Sequence, residues 1–277
     1  MATGPLRALV AAGHDVALVV TRPDRKRGRG SALLPSPVKA VAQELGLPVT
    51  HTVDDVLDAG AELGVVVAYG RLIKPHVLDV LPMVNLHFSL LPRWRGAAPV
   101  ERAILAGDEV TGVCIMALEE GLDTGPVYAV EERRIGEEET LEELRTDLAR
   151  IGTRMLIDLL ATGLPEPRPQ EGEATYAAKI EPEEHRLDWA RPAVDLHRVI
   201  RLGQAWTTFR DRRLRILRAR LSPGDDLAPG ALDPHTLRVG TGDGALELVE
   251  VQPEGKAPQP AAAWRNGARL QPGERLL

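Results

Sequence analysis

Leu63-Gly64-Val65-Val66-Val67-Ala68-Tyr69-Gly70 is an unbroken apolar run, rich in β-branched residues and stopped by glycine. Such a run, with no polar alternation, makes a strand buried on both faces, and strands of that kind belong to parallel sheets covered by helices. Working outward, the pattern recurs. Val16 to Thr21 upstream, Met83 to His87 and Val113 to Leu118 downstream are further apolar strands. Helical stretches separate them. Pro5 to Ala12 is closed by Gly13, and a second helix runs to about Leu45 with Ser36 as cap and Pro37 in the first turn. A third spans Ala98 to Ala106. Val127 to Glu132 is expected to be the hairpin partner of the Val113 strand. Thr140 to Leu160 is expected to be a long amphipathic helix, opened by Thr140 and Glu143 as a capping box. The alternation predicts an α/β domain built on a mostly parallel sheet.

The character changes near residue 162. Gly163 to Glu173 is rich in Pro, Gly and Glu, the composition of a linker. One short helix, about Pro192 to Leu202, comes next. Short strand candidates then follow at Arg213 to Leu217, Leu237 to Val239 and Ala245 to Val251, with a hairpin-type turn at Gly242-Asp243-Gly244. The expected division is a first domain over 1–162, a linker over 163–175, and a small β-barrel domain over 176–277.

Composition narrows the function classes. No run of about 18 apolar residues is present, so no membrane span is expected. No basic segment followed by an apolar stretch opens the chain, so no secretory signal is expected either. A lone cysteine, Cys114, forms no internal disulfide and sits in an apolar run, which suits a core position in a reducing cytoplasm. The net charge of −6 hides a split: residues 185–277 carry 15 Lys+Arg against 11 Asp+Glu, while the other 184 residues carry 19 against 29. One segment suited to a polyanion and one not is the pattern of two domains. The histidines outside the central motif (His14, His51, His76, His185, His197 and His235) show no metal-ligand spacing.

The chemistry-bearing stretch is Asn85-Leu86-His87-Phe88-Ser89-Leu90-Leu91-Pro92-Arg93-Trp94-Arg95-Gly96. On a strand, Asn85 and His87 share a face, at the strand end where open α/β sheets collect ligands. Gly121-Leu122-Asp123-Thr124-Gly125 forms a second polar point after the next strand. Asn, His and Asp together suit acyl transfer to an amine. Asn and protonated His donate to a developing oxyanion, Asp orients His and raises its pKa, and the amine is its own nucleophile. Taken alone, each motif is more often structural than catalytic.

Together these motifs resemble the folate-dependent formyltransferases. The longer strings Arg93-Trp94-Arg95-Gly96-Ala97-Ala98-Pro99, Thr21-Arg22-Pro23-Asp24-Arg25 and Pro35-Ser36-Pro37-Val38-Lys39 are similar to the branch acting on methionyl-tRNA. So are Tyr176-Ala177, Lys179-Ile180, Leu187-Asp188-Trp189 and Thr241-Gly242-Asp243-Gly244. The resemblance implies a Rossmann-like catalytic domain followed by an OB-like barrel. It implies transfer of the formyl group of 10-formyltetrahydrofolate to the methionine of initiator methionyl-tRNA, without a metal, by a cytoplasmic monomer. It implies Asn85, His87 and Asp123 as the catalytic trio. Ser89, Leu90, Leu91 and Pro92 would line the folate site with Ala68, Tyr69, Gly70, Gly121 and Leu122. Arg25, Lys26, Arg27 and Arg29 would enter the tRNA acceptor end, and Arg210, Arg213 and Arg215 would hold tRNA on the barrel.

The sequence departs from that pattern in three places. The family places a strand and a glycine-bearing turn before the helix near Pro5; here they are missing, as expected of a misassigned start or a truncated chain. Ser31 and Ala32 stand where the family carries further basic residues, and the stretch before Trp206 is shortened. Two competing expectations remain: a formyltransferase for an amino-sugar nucleotide, and an inactive, truncated folate- or tRNA-binding protein.

Overall fold

Gly64, Val65, Val66 and Val67 pair residue for residue, in parallel, with Met83, Val84, Asn85 and Leu86. The two apolar runs thus become neighbouring strands. The structure, a computed structural model, describes residues 1–26, 33–224 and 226–277. Helix α1 spans Thr3–Ala11, followed by strands β1 (Val19–Val20), β2 (Arg25–Lys26) and β3 (Leu33–Leu34), helix α2 (Pro37–Glu44), and strands β4 (Val49–Thr50) and β5 (Gly64–Val67). Next come α3 (Pro75–Leu78), β6 (Met83–His87), β7 (Arg95–Gly96), α4 (Pro99–Ala106), β8 (Val110–Ala117), β9 (Val127–Arg134), α5 (Leu141–Thr162) and β10 (Tyr176–Ala177). The remainder is α6 (Ala193–Arg201), β11 (Trp206–Phe209), β12 (Arg212–Ser222), β13 (Arg238–Gly240), β14 (Ala245–Pro253), β15 (Gln259–Pro260) and α7 (Ala261–Ala268).

The chain forms two compact units. The first comprises Met1–Pro99, Val110–Arg134 and Arg145–Ala178; the second comprises Val100–Glu109, Ile135–Leu144 and Lys179–Leu277. Composition puts the break at residue 162, whereas contacts carry the first unit through Ala178. The reason is local: residues 168–177 hydrogen-bond to the loops of that unit, as described below.

In the first unit β1 pairs β4 in parallel, and a four-stranded sheet runs β5-β6-β8-β9. β5 and β6 are parallel, whereas β8 and β9 add antiparallel. The parallel expectation therefore holds at β1, β4, β5 and β6, and the predicted hairpin supplies the antiparallel edge. Every residue of β6 is buried, as are six of the eight in β8, which explains their apolar runs. The local signals also act as read. Ser36 Oγ accepts from Lys39 N at 3.0 Å to cap α2. Glu143 Oε2 accepts from Thr140 N at 2.8 Å while Thr140 Oγ1 accepts from Glu143 N at 3.3 Å, closing the capping box. β1 is shorter than the run Val16 to Thr21 suggests, because only Val19 and Val20 find ladder partners.

The second unit is a curled antiparallel half-barrel in the order β11-β12-β14-β13, with β15 on β14. β12 alternates exposed Arg213 and half-buried Arg215 with buried Leu214 and Ile216, and a register irregularity between Ile216 and Ala219 lets it continue past Leu217 to Ser222. Its core joins Leu196 and Ile200 of α6 to Leu214, Ile216, Val239 and Leu246. Burying one such side chain contributes about 1.5–3 kcal/mol. α7, which the sequence reading did not anticipate, packs Trp264 edge-on against Phe209 at 5.1 Å. Among the described residues, no helix is long and apolar enough to cross a membrane, and no group of three or more His, Cys, Asp or Glu side chains could hold a metal ion.

Candidate active site

Asn85 and His87 stand two residues apart on β6, so strand alternation turns both side chains to one face. Both are buried. Asp123 reaches them from the turn after β8, with φ of 51°, a left-handed conformation uncommon for a residue with a side chain. Its carboxylate is 12% exposed, and Oδ2 lies 3.6 Å from His87 Nδ1. The same Oδ2 accepts from Gly96 N at 2.8 Å. Asn85 Nδ2 points to Oδ1 across a long 3.5 Å contact. The structure therefore brings the three predicted residues together.

The imidazole has a defined tautomer. His87 Nε2 lies 2.9 Å from the Trp94 carbonyl, which only accepts, so Nε2 carries a hydrogen and Nδ1 faces Asp123. Burial pushes the His87 pKa below its ordinary value, while the Asp123 charge and the Trp94 carbonyl push it back up. An amide donor, an imidazole and a carboxylate so grouped offer a donor to a developing oxyanion and an acceptor for an amine proton.

The residues expected to line a folate site lie on the chain segments adjoining this trio. Ala68 (φ 48°) and Gly70 (φ 72°) turn the chain just beyond β5, with half-buried Tyr69 between them. Val67 is paired in parallel with Leu86, so that turn lies at the same sheet end as His87. Ser89 is fully buried, and its hydroxyl donates to the Arg93 carbonyl at 2.6 Å. Leu90, Leu91 and Pro92 are half-buried, the Leu91–Pro92 bond is cis, and Leu91 N donates to Cys114 Sγ at 3.4 Å. Gly121 and Leu122 precede Asp123, with Leu122 exposed.

Known proteins share this arrangement of sequence and fold. The model of the formyl transferase family matches residues 6–160, and that of the formyl transferase C-terminal domain matches 179–269. The chain is 46% identical over 286 aligned positions to a methionyl-tRNA formyltransferase of Roseobacter denitrificans, covering 97% of this chain and 93% of that protein. The chain belongs to the methionyl-tRNA formyltransferase family. Solved structures with the same fold include an N-formyltransferase of Helicobacter canadensis bound to folinic acid and dTDP-3-aminofucose. It has TM-score 0.68 and 17% identity, and the match covers 89% of this chain and 95% of that one. A methionyl-tRNA formyltransferase of Clostridium thermocellum gives TM-score 0.54 and 21% identity, covering 66% of this chain and 87% of that one.

The basic residues singled out for tRNA are dispersed over the family's two parts. Arg25 and Lys26 are exposed on β2, which pairs antiparallel with β3; Arg27 and Arg29 lie outside the described residues. In the second unit Arg210 donates to Glu274 at 2.6 Å and to the Ala268 carbonyl at 3.0 Å. Arg215 is held by Gln252 Oε1 and the Gly203 carbonyl, each at 2.9 Å. Arg213 lies 4.2 Å above the Trp206 ring. Sequence reasoning missed the Trp94 carbonyl and the Gly96 amide as partners of the trio. Both are backbone groups, and residue identity carries no signal for them.

Proposed function

We propose that the protein transfers the formyl group of 10-formyltetrahydrofolate to the α-amino group of methionine on initiator methionyl-tRNA, acting as a monomer in the cytoplasm. The grouping of Asn85, His87 and Asp123 at one sheet end, in a chain 46% identical to a named methionyl-tRNA formyltransferase, carries this reading.

The amine nitrogen attacks the formyl carbon, the carbonyl electrons move onto oxygen, and collapse of that intermediate breaks the bond to the folate nitrogen. Asn85 Nδ2 and His87 donate to the oxygen as its charge grows. His87 does so from Nε2, by releasing the Trp94 carbonyl, and does so most strongly with a second proton at Nδ1, the nitrogen that faces Asp123. The Asp123 carboxylate, 3.6 Å from Nδ1, favours that protonated form against the burial that opposes it. The pair also takes up the proton the amine loses, and the folate nitrogen leaves with a proton. The donor's flat ring system fits between Leu90, Leu91 and Leu122 and the backbone turned by Ala68 and Gly70, an apolar rim with few polar groups. Arg25 and Lys26 supply phosphate contacts, and Arg213 over Trp206 sets a cation beside an aromatic ring able to stack on a base.

The test is formylation of charged initiator methionyl-tRNA with 10-formyltetrahydrofolate as donor. Elongator methionyl-tRNA and a dTDP-amino sugar serve as alternative acceptors. Formylation of the initiator alone is expected. Preference for the amino sugar, or no transfer to any acceptor, would overturn the reading.

A further inference from the structure

Residues 168–177 have the composition of a connector, yet they are stitched across the loops that carry the trio. Arg168 and Val127 exchange both backbone hydrogen bonds, at 2.7 and 2.8 Å. Thr175 Oγ1 accepts from Trp94 N at 2.9 Å, its carbonyl accepts from Arg95 N at 2.9 Å, and its amide donates to the Pro92 carbonyl at 3.2 Å. β10 then pairs with β7 in parallel.

At the centre of this strap is Gln170. Its Nε2 donates to the Asp123 carbonyl at 2.9 Å and to the Gly125 carbonyl at 2.8 Å. Its Oε1 accepts from Arg95 Nε at 3.1 Å and Arg95 NH2 at 2.6 Å. Both amide hydrogens and both lone-pair directions are thereby used, so the side chain has no capacity left for a ligand. One side chain thus grips the two segments that meet at the carboxylate: the turn bearing Asp123, and Arg95, whose neighbour Gly96 donates to Asp123 Oδ2. Asp123 sits at φ 51°, a conformation that persists only when its surroundings fix it.

We propose that Gln170 is a positioning residue of the formyl-transfer site, holding Asp123 against His87 by clamping the Asp123–Gly125 turn to the Arg95–Gly96 strand. This rests on the function proposed above. Gln170 touches no reacting atom and acts through Asp123. Misplacement of a catalytic group by about 1 Å costs up to about a hundredfold in rate.

Two variants separate the clamp from bulk packing. Gln170→Leu keeps the volume and removes all four bonds. Gln170→Glu keeps an acceptor for Arg95 but offers no donor to the two carbonyls, and it carries the test if the leucine variant does not fold. Each is expected to lower kcat by about ten- to a hundredfold with KM for folate and tRNA changed about twofold or less. Added to Asp123→Asn, each should cause no further loss, because both act on one interaction. In the unliganded protein, the His87 ring-proton titration followed by NMR should move to lower pH, as the carboxylate recedes. An unchanged kcat, a loss that multiplies with Asp123→Asn, or an unmoved His87 titration would each overturn the proposal. The titration needs no substrate, so it tests Gln170 even if the wild-type chain formylates nothing, a result that would count against the function instead.

Discussion

Gly96 and Asp123 are joined by a hydrogen bond of 2.8 Å from the backbone amide to Oδ2 of the carboxylate. Gly96 holds φ at 120°, and a Cβ there would stand 2.9 Å from the Ala177 carbonyl oxygen. Alanine at this position must strain the backbone and push β10 away. Gly96→Ala is expected to cost about 1–3 kcal/mol in stability, read from urea unfolding. It should also lower formyl transfer, since the amide moves with the strain. Wild-type stability and rate together would show that the strand yields without consequence.

His87→Ala and Asn85→Ala should each lower turnover by about a hundredfold or more, the usual effect of deleting an oxyanion donor. Asp123→Asn removes the charge that raises the His87 pKa and leaves the burial that lowers it. The His87 titration should therefore move to lower pH in that variant, with assignment of the resonance by its loss in His87→Ala. Movement to higher pH would mean that Asp123 does not act on His87 through its charge.

In the second unit, Trp189 Nε1 donates to Thr207 Oγ1 at 2.9 Å, and that hydroxyl donates to the Leu277 carbonyl at 2.9 Å. Thr207 is fully buried. Thr207→Val keeps the shape but leaves the indole hydrogen without its partner, at a cost of about 1–3 kcal/mol. The urea midpoint should fall while the unfolding slope stays constant.

Histidine burial gives stability a pH dependence. His197 faces Glu138, Arg201 and the Ala219 backbone, and burial depresses its pKa below the ordinary 6.5 despite Glu138. The unfolded chain therefore binds the proton first as pH falls. Stability is full above about pH 6.5 and declines below it, down to the lower folded-state value. The urea midpoint should drop between pH 7.5 and 5.5, and His197→Gln should flatten that drop. His87 and His185, also depressed by burial, keep part of the slope. An identical slope in the variant would remove His197 from the effect.

The parts of the fold visible in sequence are those with periodic side-chain chemistry. β6 was bounded correctly because its all-buried run interrupts apolar residues only at Asn85 and His87. The β12 signal faded at Leu217 because the register irregularity there breaks period-two alternation. α7 buries only Ala261 and Trp264, too few apolar points to mark a helix. The trio itself spans 38 residues from Asn85 to Asp123, a distance no local pattern bridges; resemblance to a family suggested it. Gln170 was illegible for a different reason. Its bonds run to backbone carbonyls and to one arginine, and the surrounding Pro, Gly and Glu give the same composition to a strap as to a connector.

Cys114 lies on β8 directly opposite His87 on β6. It is fully buried, and burial pushes its thiol up to about 11. At neutral pH it is therefore almost wholly protonated as well as shielded, the two conditions that silence a thiol. As the sole cysteine of the chain, it serves as an intrinsic clock. The rate at which an alkylating reagent consumes it reports how often the strand paired with His87 peels open, with no label to introduce and no second thiol to confuse the count.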